Sequence, residues 1–192
     1  MENVEVICRI TDFLLADRKE DAASILRNEY PHNYIAPVKR KLSALEKLRI
    51  FYRDGFIDRY SGKRLLFPNV LRMISIQLGD DLPFHKNWKM SECHIAYWEL
   101  MPTYDHVFPV ARGGQDIPVN IVTTSQLNNS RKSNFLIDEI GFDLFPPGNI
   151  DKWDGKIGWY KKMIKKDHSI LSDKYCFKWN NALEIIEKEK GT

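Results

Sequence analysis

The chain has 192 residues, 43% of them hydrophobic, with 29 Lys and Arg against 26 Asp and Glu for a net charge of +3. These proportions exclude a disordered tail and a fibrous repeat and fit one globular domain of ordinary size. No uncharged apolar run approaches the ~20 residues that span a bilayer, so no membrane partner is expected. Glu2, Glu5 and Arg9 are out of place in a signal peptide. Cys8, Cys93 and Cys176 are far apart and form no CxxC, which points to a reducing cytoplasmic setting and away from a disulfide scaffold or a cysteine-built zinc site.

The charge is unevenly spread. Residues 39–64 hold nine basic and three acidic side chains, a net +6, whereas residues 1–38 hold four against seven, a net −3. A phosphate-facing surface is one reading of the basic stretch, and a solvated helix face is the other.

In chain order, the apolar spacing of Ile7, Ile10, Phe13, Leu14, Ala22, Ile25 and Leu26 predicts a helix from Val6 to about Asn28. Pro31 and Pro37 bracket a linker. A second helix runs through Leu42, Leu45, Leu48, Ile50 and Phe51, capped near Ser43 and ended near Asp54-Gly55. Phe56–Phe67 reads as two short strand-like runs about a Ser61-Gly62 turn. Pro68–Leu78 is a short helix ended by Gly79, and the aromatic-rich stretch 82–103 has no clean period. Tyr104–Val110 reads as a strand, Gly113-Gly114 as a loop, Val119–Thr124 as the returning strand, and Ser125–Ser133 as a helix with Ser125 at its N-cap. A Pro146-Pro147-Gly148 break, a Trp/Tyr-rich segment and a last helix over about Trp179–Lys190 complete the chain.

The chemistry-bearing residues fall in 104–133. Adjacent Asp105 and His106 on a strand point to opposite faces, so one can bind a cation while the other meets a reacting water if twist brings their tips together. Asn120 follows His106 by 14 residues and Asn129 follows Asn120 by 9. Asp105 and Asn129 supply hard oxygen donors, suited to Mg²⁺ rather than to zinc. Elsewhere, Cys93-His94 near Glu92 and Glu99 lacks a fourth ligand at convincing spacing. Trp88, Trp98, Trp153 and Trp159 read as core, and Lys161, Lys162, Lys165 and Lys166 as a charged helix face.

The stretch Asp105-His106-Val-Phe-Pro109, Gly113-Gly114, Asn120-Ile121, Asn129 and Lys132 resembles the HNH endonucleases, which have the ββα-metal fold. The ending Asn129-Ser-Arg-Lys-Ser133 is especially similar to the HNH domain of RNA-guided CRISPR effector nucleases. Upstream, Arg53-Asp-Gly-Phe-Ile-Asp58-Arg-Tyr-Ser61-Gly is similar to the family's leading segment. There the zinc cysteines of other members fall on Asp58 and Ser61, and the second pair on Ser125 and Asn128. With all four positions non-cysteine, no structural zinc is expected. The insert between Leu66 and Thr103 is the expected substitute.

The resemblance implies an α+β protein with a ββα-metal (HNH) core embedded in surrounding helices. One nuclease domain would cover 1–192: core 50–66 and 103–135, helical flank 1–49, insert 67–102 and C-terminal flank 136–192. It also implies roles. His106 would be the general base, and Asn120 would fix the loop and the imidazole. Asp105 and Asn129 would hold Mg²⁺ (or Mn²⁺), and Arg131 and Lys132 would contact DNA phosphate. The implied activity is a metal-dependent DNA endonuclease leaving 5′-phosphate and 3′-hydroxyl ends, in restriction or phage defence. A palindromic target would require a homodimer. The alternatives are a catalytically silent DNA-binding module and a nuclease subunit that needs a targeting partner.

Overall fold

Where the sequence predicts one helix over 6–28, two are found. A computed structural model of the protein describes residues 3–32, 34 and 42–190, so Pro37 and the basic residues Lys39, Arg40 and Lys41 lie outside the described residues. The described chain divides into two compact units, 1–36 and 37–192.

The first unit is a helical hairpin of α1 (Asn3–Leu15) and α2 (Lys19–Glu29). Asp17 breaks the expected single helix by adopting a left-handed φ of 57°. Its N–H donates to the Leu14 carbonyl at 3.1 Å, and Arg18 N–H donates to the Phe13 carbonyl at 2.9 Å. This paired arrangement ends a helix by satisfying its last carbonyls, with Asp in the position glycine usually takes. Arg9 pairs with Glu29 across the hairpin. Val6 and Ala22 are its buried apolar side chains.

The second unit begins with α3 (Ala44–Arg53), capped as expected: Ser43 Oγ accepts from Glu46 N–H at 3.2 Å while Glu46 Oε2 accepts from Ser43 N–H at 2.8 Å. The 56–67 runs form only one isolated bridge, Ile57 with Arg64. α4 (Pro68–Leu78) has proline in its first turn, where a missing N–H costs nothing, and stops at Gly79 as predicted. Within the insert lies α5 (Ala96–Glu99). After the strands and α6 (Gln126–Lys132), described below, come α7 (Ile157–Lys166) and α8 (Lys174–Lys190), the latter starting earlier than expected.

α3, α4, α7 and α8 enclose the main core, with Leu48, Phe51, Phe56, Phe67, Met73 and Tyr160 fully buried. Asn69 is buried inside it and donates to Tyr160 Oη at 2.9 Å and to the Cys176 carbonyl at 2.8 Å. The insert builds a second, smaller core from Leu71, Cys93, Ala96, Tyr97 and Met101. Among the described residues no helix is long and apolar enough to cross a membrane. The protein is thus α+β, with helices predominating over one two-stranded sheet among the described residues.

Candidate active site

The sheet pairs β1 (Pro102–His106) antiparallel with β2 (Ile121–Ser125), Asp105 opposite Val122 and His106 opposite Ile121. Both strands differ from the predicted spans. β1 ends at His106 because Val110–Arg112 makes a 3₁₀ turn after Pro109, and β2 starts late because Pro118–Asn120 makes another. α6 (Gln126–Lys132) follows directly, and Ser125 Oγ caps it by accepting from Asn128 N–H at 3.1 Å.

A two-stranded sheet is marginal alone and needs its edge covered. The turn after α3 does this. Asp54, fully buried, accepts Thr123 N–H at 2.7 Å, and Arg59 N–H donates to the Thr123 carbonyl at 2.9 Å. Arg53 and Arg59 compensate the buried Asp54 carboxylate at 2.9 and 3.2 Å. Arg53 also donates to the Ile121 carbonyl at 2.6 Å, pinning the start of β2. Two basic residues of the 39–64 stretch, Arg53 and Arg59, are therefore committed internally. Arg49 pairs with Glu189 at 2.5 Å and Arg64 lies 5.0 Å over the Trp153 ring.

The positions that the resemblance matches to lost zinc cysteines do come together, around a carboxylate. Asp58, buried, accepts from Tyr60 N–H at 2.9 Å and Thr124 Oγ1 at 3.0 Å on one oxygen. Its other oxygen accepts from Ser125 N–H at 3.0 Å and Asn128 Nδ2 at 2.8 Å. The segment 58–61 and the start of α6 are thus joined by hydrogen bonds at those positions themselves. The insert, expected to serve this purpose, also reaches this joint, its Met101 carbonyl accepting from Gln126 N–H at 3.2 Å, and it sends Phe67, Val70 and Met73 into the main core besides building the smaller one.

At the sheet's end, Asp105 Oδ2 accepts from Tyr60 Oη at 2.7 Å and pairs with Lys132 Nζ at 2.9 Å. Burial, and then the adjacent Asp105 charge, push the Tyr60 hydroxyl pKa well up, so it acts as a donor. Lys132 is 0% exposed, and its Nζ also donates to the His106 carbonyl at 2.7 Å. This corrects the expectation that Lys132 meets a DNA phosphate: the ammonium is walled off from solvent and holds Asp105 and the His106 backbone. Arg131 is exposed, its guanidinium 5.4 Å from the Phe142 ring centre. Asn129 is half-buried on α6, one turn before Lys132 and on the same helix face, with no side-chain hydrogen bond among the described residues.

The 107–120 loop is tied down locally. Asn120 Oδ1 accepts from Phe108 N–H at 2.8 Å, and Asn120 Nδ2 donates to the Phe108 and Gln115 carbonyls at 3.0 and 2.8 Å. Gly113 adopts φ 94°, and a Cβ on Gly114 would sit 1.9 Å from the Phe108 carbonyl oxygen. Asn120 thus fixes the loop, as expected, but acts on the imidazole only through it. The residue touching His106 is one the motif did not single out: Asp116, whose Oδ1 lies 3.1 Å from His106 Nε2. An acidic residue between the two glycines and Asn120 was the available signal.

Asp105 Oδ1 has no hydrogen-bond partner among the described residues, and neither does the Asn129 amide oxygen, while Asp105 Oδ2 is taken. Among the described residues no three His, Cys, Asp or Glu side chains stand together as a metal cage. One carboxylate and one amide oxygen fit a hydrated hard cation such as Mg²⁺ or Mn²⁺, which keeps most of its waters, and do not fit zinc. Cys93 and His94 form no ligand group either: Cys93 Sγ accepts from His85 N–H at 3.2 Å and His94 Nδ1 from Ala96 N–H at 3.1 Å. No family model and no curated protein matches this chain.

Proposed function

We propose that the protein is a metal-dependent DNA endonuclease of the HNH kind, built on a ββα-metal core, acting in restriction or phage defence. The observation that carries this is one hairpin-plus-helix unit in which Asp105 and His106 end β1, Asn120 clamps the connecting loop, and Asn129 lies on the same face of α6 as Lys132, which reaches Asp105.

In this function His106 takes a proton from the attacking water, a role worth roughly 10²–10⁴-fold in rate. Asp105 and Asn129 would hold the divalent ion, which when bound supplies positive charge against the negative charge that develops on the scissile phosphate and the departing 3′ oxygen. Lys132 and Tyr60 both engage Asp105 Oδ2, which keeps the carboxylate in one orientation and leaves Oδ1 as the oxygen that would meet the ion. Arg131, exposed one residue before Lys132, contacts the phosphate backbone. Departure of the 3′ oxygen, which takes up a proton from solvent water, leaves 5′-phosphate and 3′-hydroxyl ends.

The test is cleavage of supercoiled plasmid by purified protein in Mg²⁺ or Mn²⁺, beside His106→Ala and a chelated control. The wild type should nick or linearise the plasmid, with loss of about 10²–10⁴-fold in His106→Ala and no cleavage in chelator. Equal rates for wild type and mutant would refute the assignment. Discrete fragments would identify a sequence-specific enzyme, and binding without cleavage would favour the silent DNA-binding module.

A further inference from the structure

We propose that Asp116 is a positioning residue that locks the His106 imidazole in the Nε2–H tautomer, so that Nδ1 is the atom that accepts the proton. This rests on His106 being the general base. The geometry is specific. Asp116 Oδ1 lies 3.1 Å from His106 Nε2, and the two side chains are only 16% and 18% exposed.

A carboxylate has acceptors and no hydrogen to give, so the ring nitrogen facing it must carry the proton. A neutral imidazole has one N–H and one lone pair, and with Nε2 protonated the lone pair lies on Nδ1. Accepting the water proton at Nδ1 makes an imidazolium, whose charge the Asp116 carboxylate then offsets without itself gaining a proton. His106 is held on its other sides too. Its carbonyl accepts from Lys132 Nζ at 2.7 Å, and the Tyr104 ring meets the imidazole edge-on at 6.3 Å between centres.

The same geometry gives Asn120 its purpose. By gripping the carbonyl of Gln115, the neighbour of Asp116, at 2.8 Å, and both polar groups of the Phe108 backbone, it sets where the Asp116 carboxylate stands. Gly114 admits the Phe108 carbonyl where any side chain would collide.

Two measurements on the full chain test the proposal. Nitrogen NMR of the imidazoles, with the His106 signal identified by its loss in His106→Gln, reads the tautomer directly. The wild type should give the Nε2–H form, and Asp116→Asn, which can turn its NH₂ toward the ring, should yield the other tautomer or a mixture. Single-turnover plasmid cleavage in Mg²⁺ should fall about 10–100-fold in Asp116→Asn, with DNA affinity unchanged and most of the rate restored in Asp116→Glu. An Nδ1–H form in the wild type overturns the proposal, as does an Asp116→Asn rate within twofold of wild type. If the wild type itself cleaves nothing, the endonuclease function fails, and the tautomer measurement still decides on Asp116: the Nε2–H form upholds the lock and the Nδ1–H form removes it. Thermal melting of each variant separates lost orientation from lost fold.

Discussion

At Lys132 an ammonium stripped of water must find its partners within the protein, and it finds them in the Asp105 carboxylate and the His106 carbonyl, 27 and 26 residues away in sequence. Removing one member of such a pair leaves the other without compensation, which costs more than the pair contributes. Lys132→Met keeps the volume but strips Asp105 of its cation. We expect a loss of about 3 kcal/mol, read from the midpoint of urea unfolding. Arg131→Ala, at an exposed site, should stay within about 0.5 kcal/mol of wild type. Similar midpoints for the two variants would mean that Lys132 is not the internal tie its burial indicates.

Among the elements, the joint between 58–61 and the start of α6 depends on one side chain. In Asp58→Asn the shape is nearly unchanged, yet whichever way the amide turns, its NH₂ faces a backbone N–H, that of Tyr60 or that of Ser125. A frustrated buried donor pair of this kind costs about 3 kcal/mol, which for a chain of this size lowers Tm by roughly 6–12 °C. A melting point within 2 °C of wild type, about half a kcal/mol, would show that other contacts hold the joint.

The tie between α4 and the start of α8 has a pH signature. Burial opposes the charge on Asp173, but Arg72 at 2.6 Å and the N–H groups of Cys176 and Tyr175 outweigh it and hold the carboxyl below its ordinary pKa. A carboxyl so lowered stabilises the fold fully above its unfolded value of ~3.9 and loses that contribution as pH falls through the folded value. Asp173→Asn keeps an oxygen for the helix cap and loses the Arg72 pair. Its cost, on the order of 1–2 kcal/mol at pH 7, should shrink as pH falls below ~3.9 and through the lower folded value; a cost independent of pH would contradict this.

At the scale of the molecule, both cores draw their buried side chains from residues after 36, as does every member of the candidate site. The two units also differ in charge, −3 for 1–36 against +6 for 37–192, from 25 basic and 19 acidic residues in the latter. A chain of residues 37–192 should therefore fold cooperatively, with near-UV circular dichroism like that of the full chain. The isolated 1–36 hairpin, with Val6 and Ala22 as its buried apolar residues, should be largely unfolded. A truncated 37–192 without a sharp thermal transition would show that the hairpin is part of its core.

The sequence by itself determined what depends on neighbours a few residues apart. The Ser43–Glu46 capping box, the Ser125 cap, the glycine loop and the two strands that flank it are all local chemistry, and each is found, with strand ends shifted where a 3₁₀ turn intervenes. Only the tertiary structure decided which polar groups meet. Lys132 faces inward rather than toward phosphate. Asp58 joins a side chain 70 residues distant, and Asp116 rather than Asn120 touches the imidazole. Periodicity and spacing constrain a residue's face, but burial removes water from a charge only after the chain has closed around it, and a charge without water takes whatever partner the fold brings near.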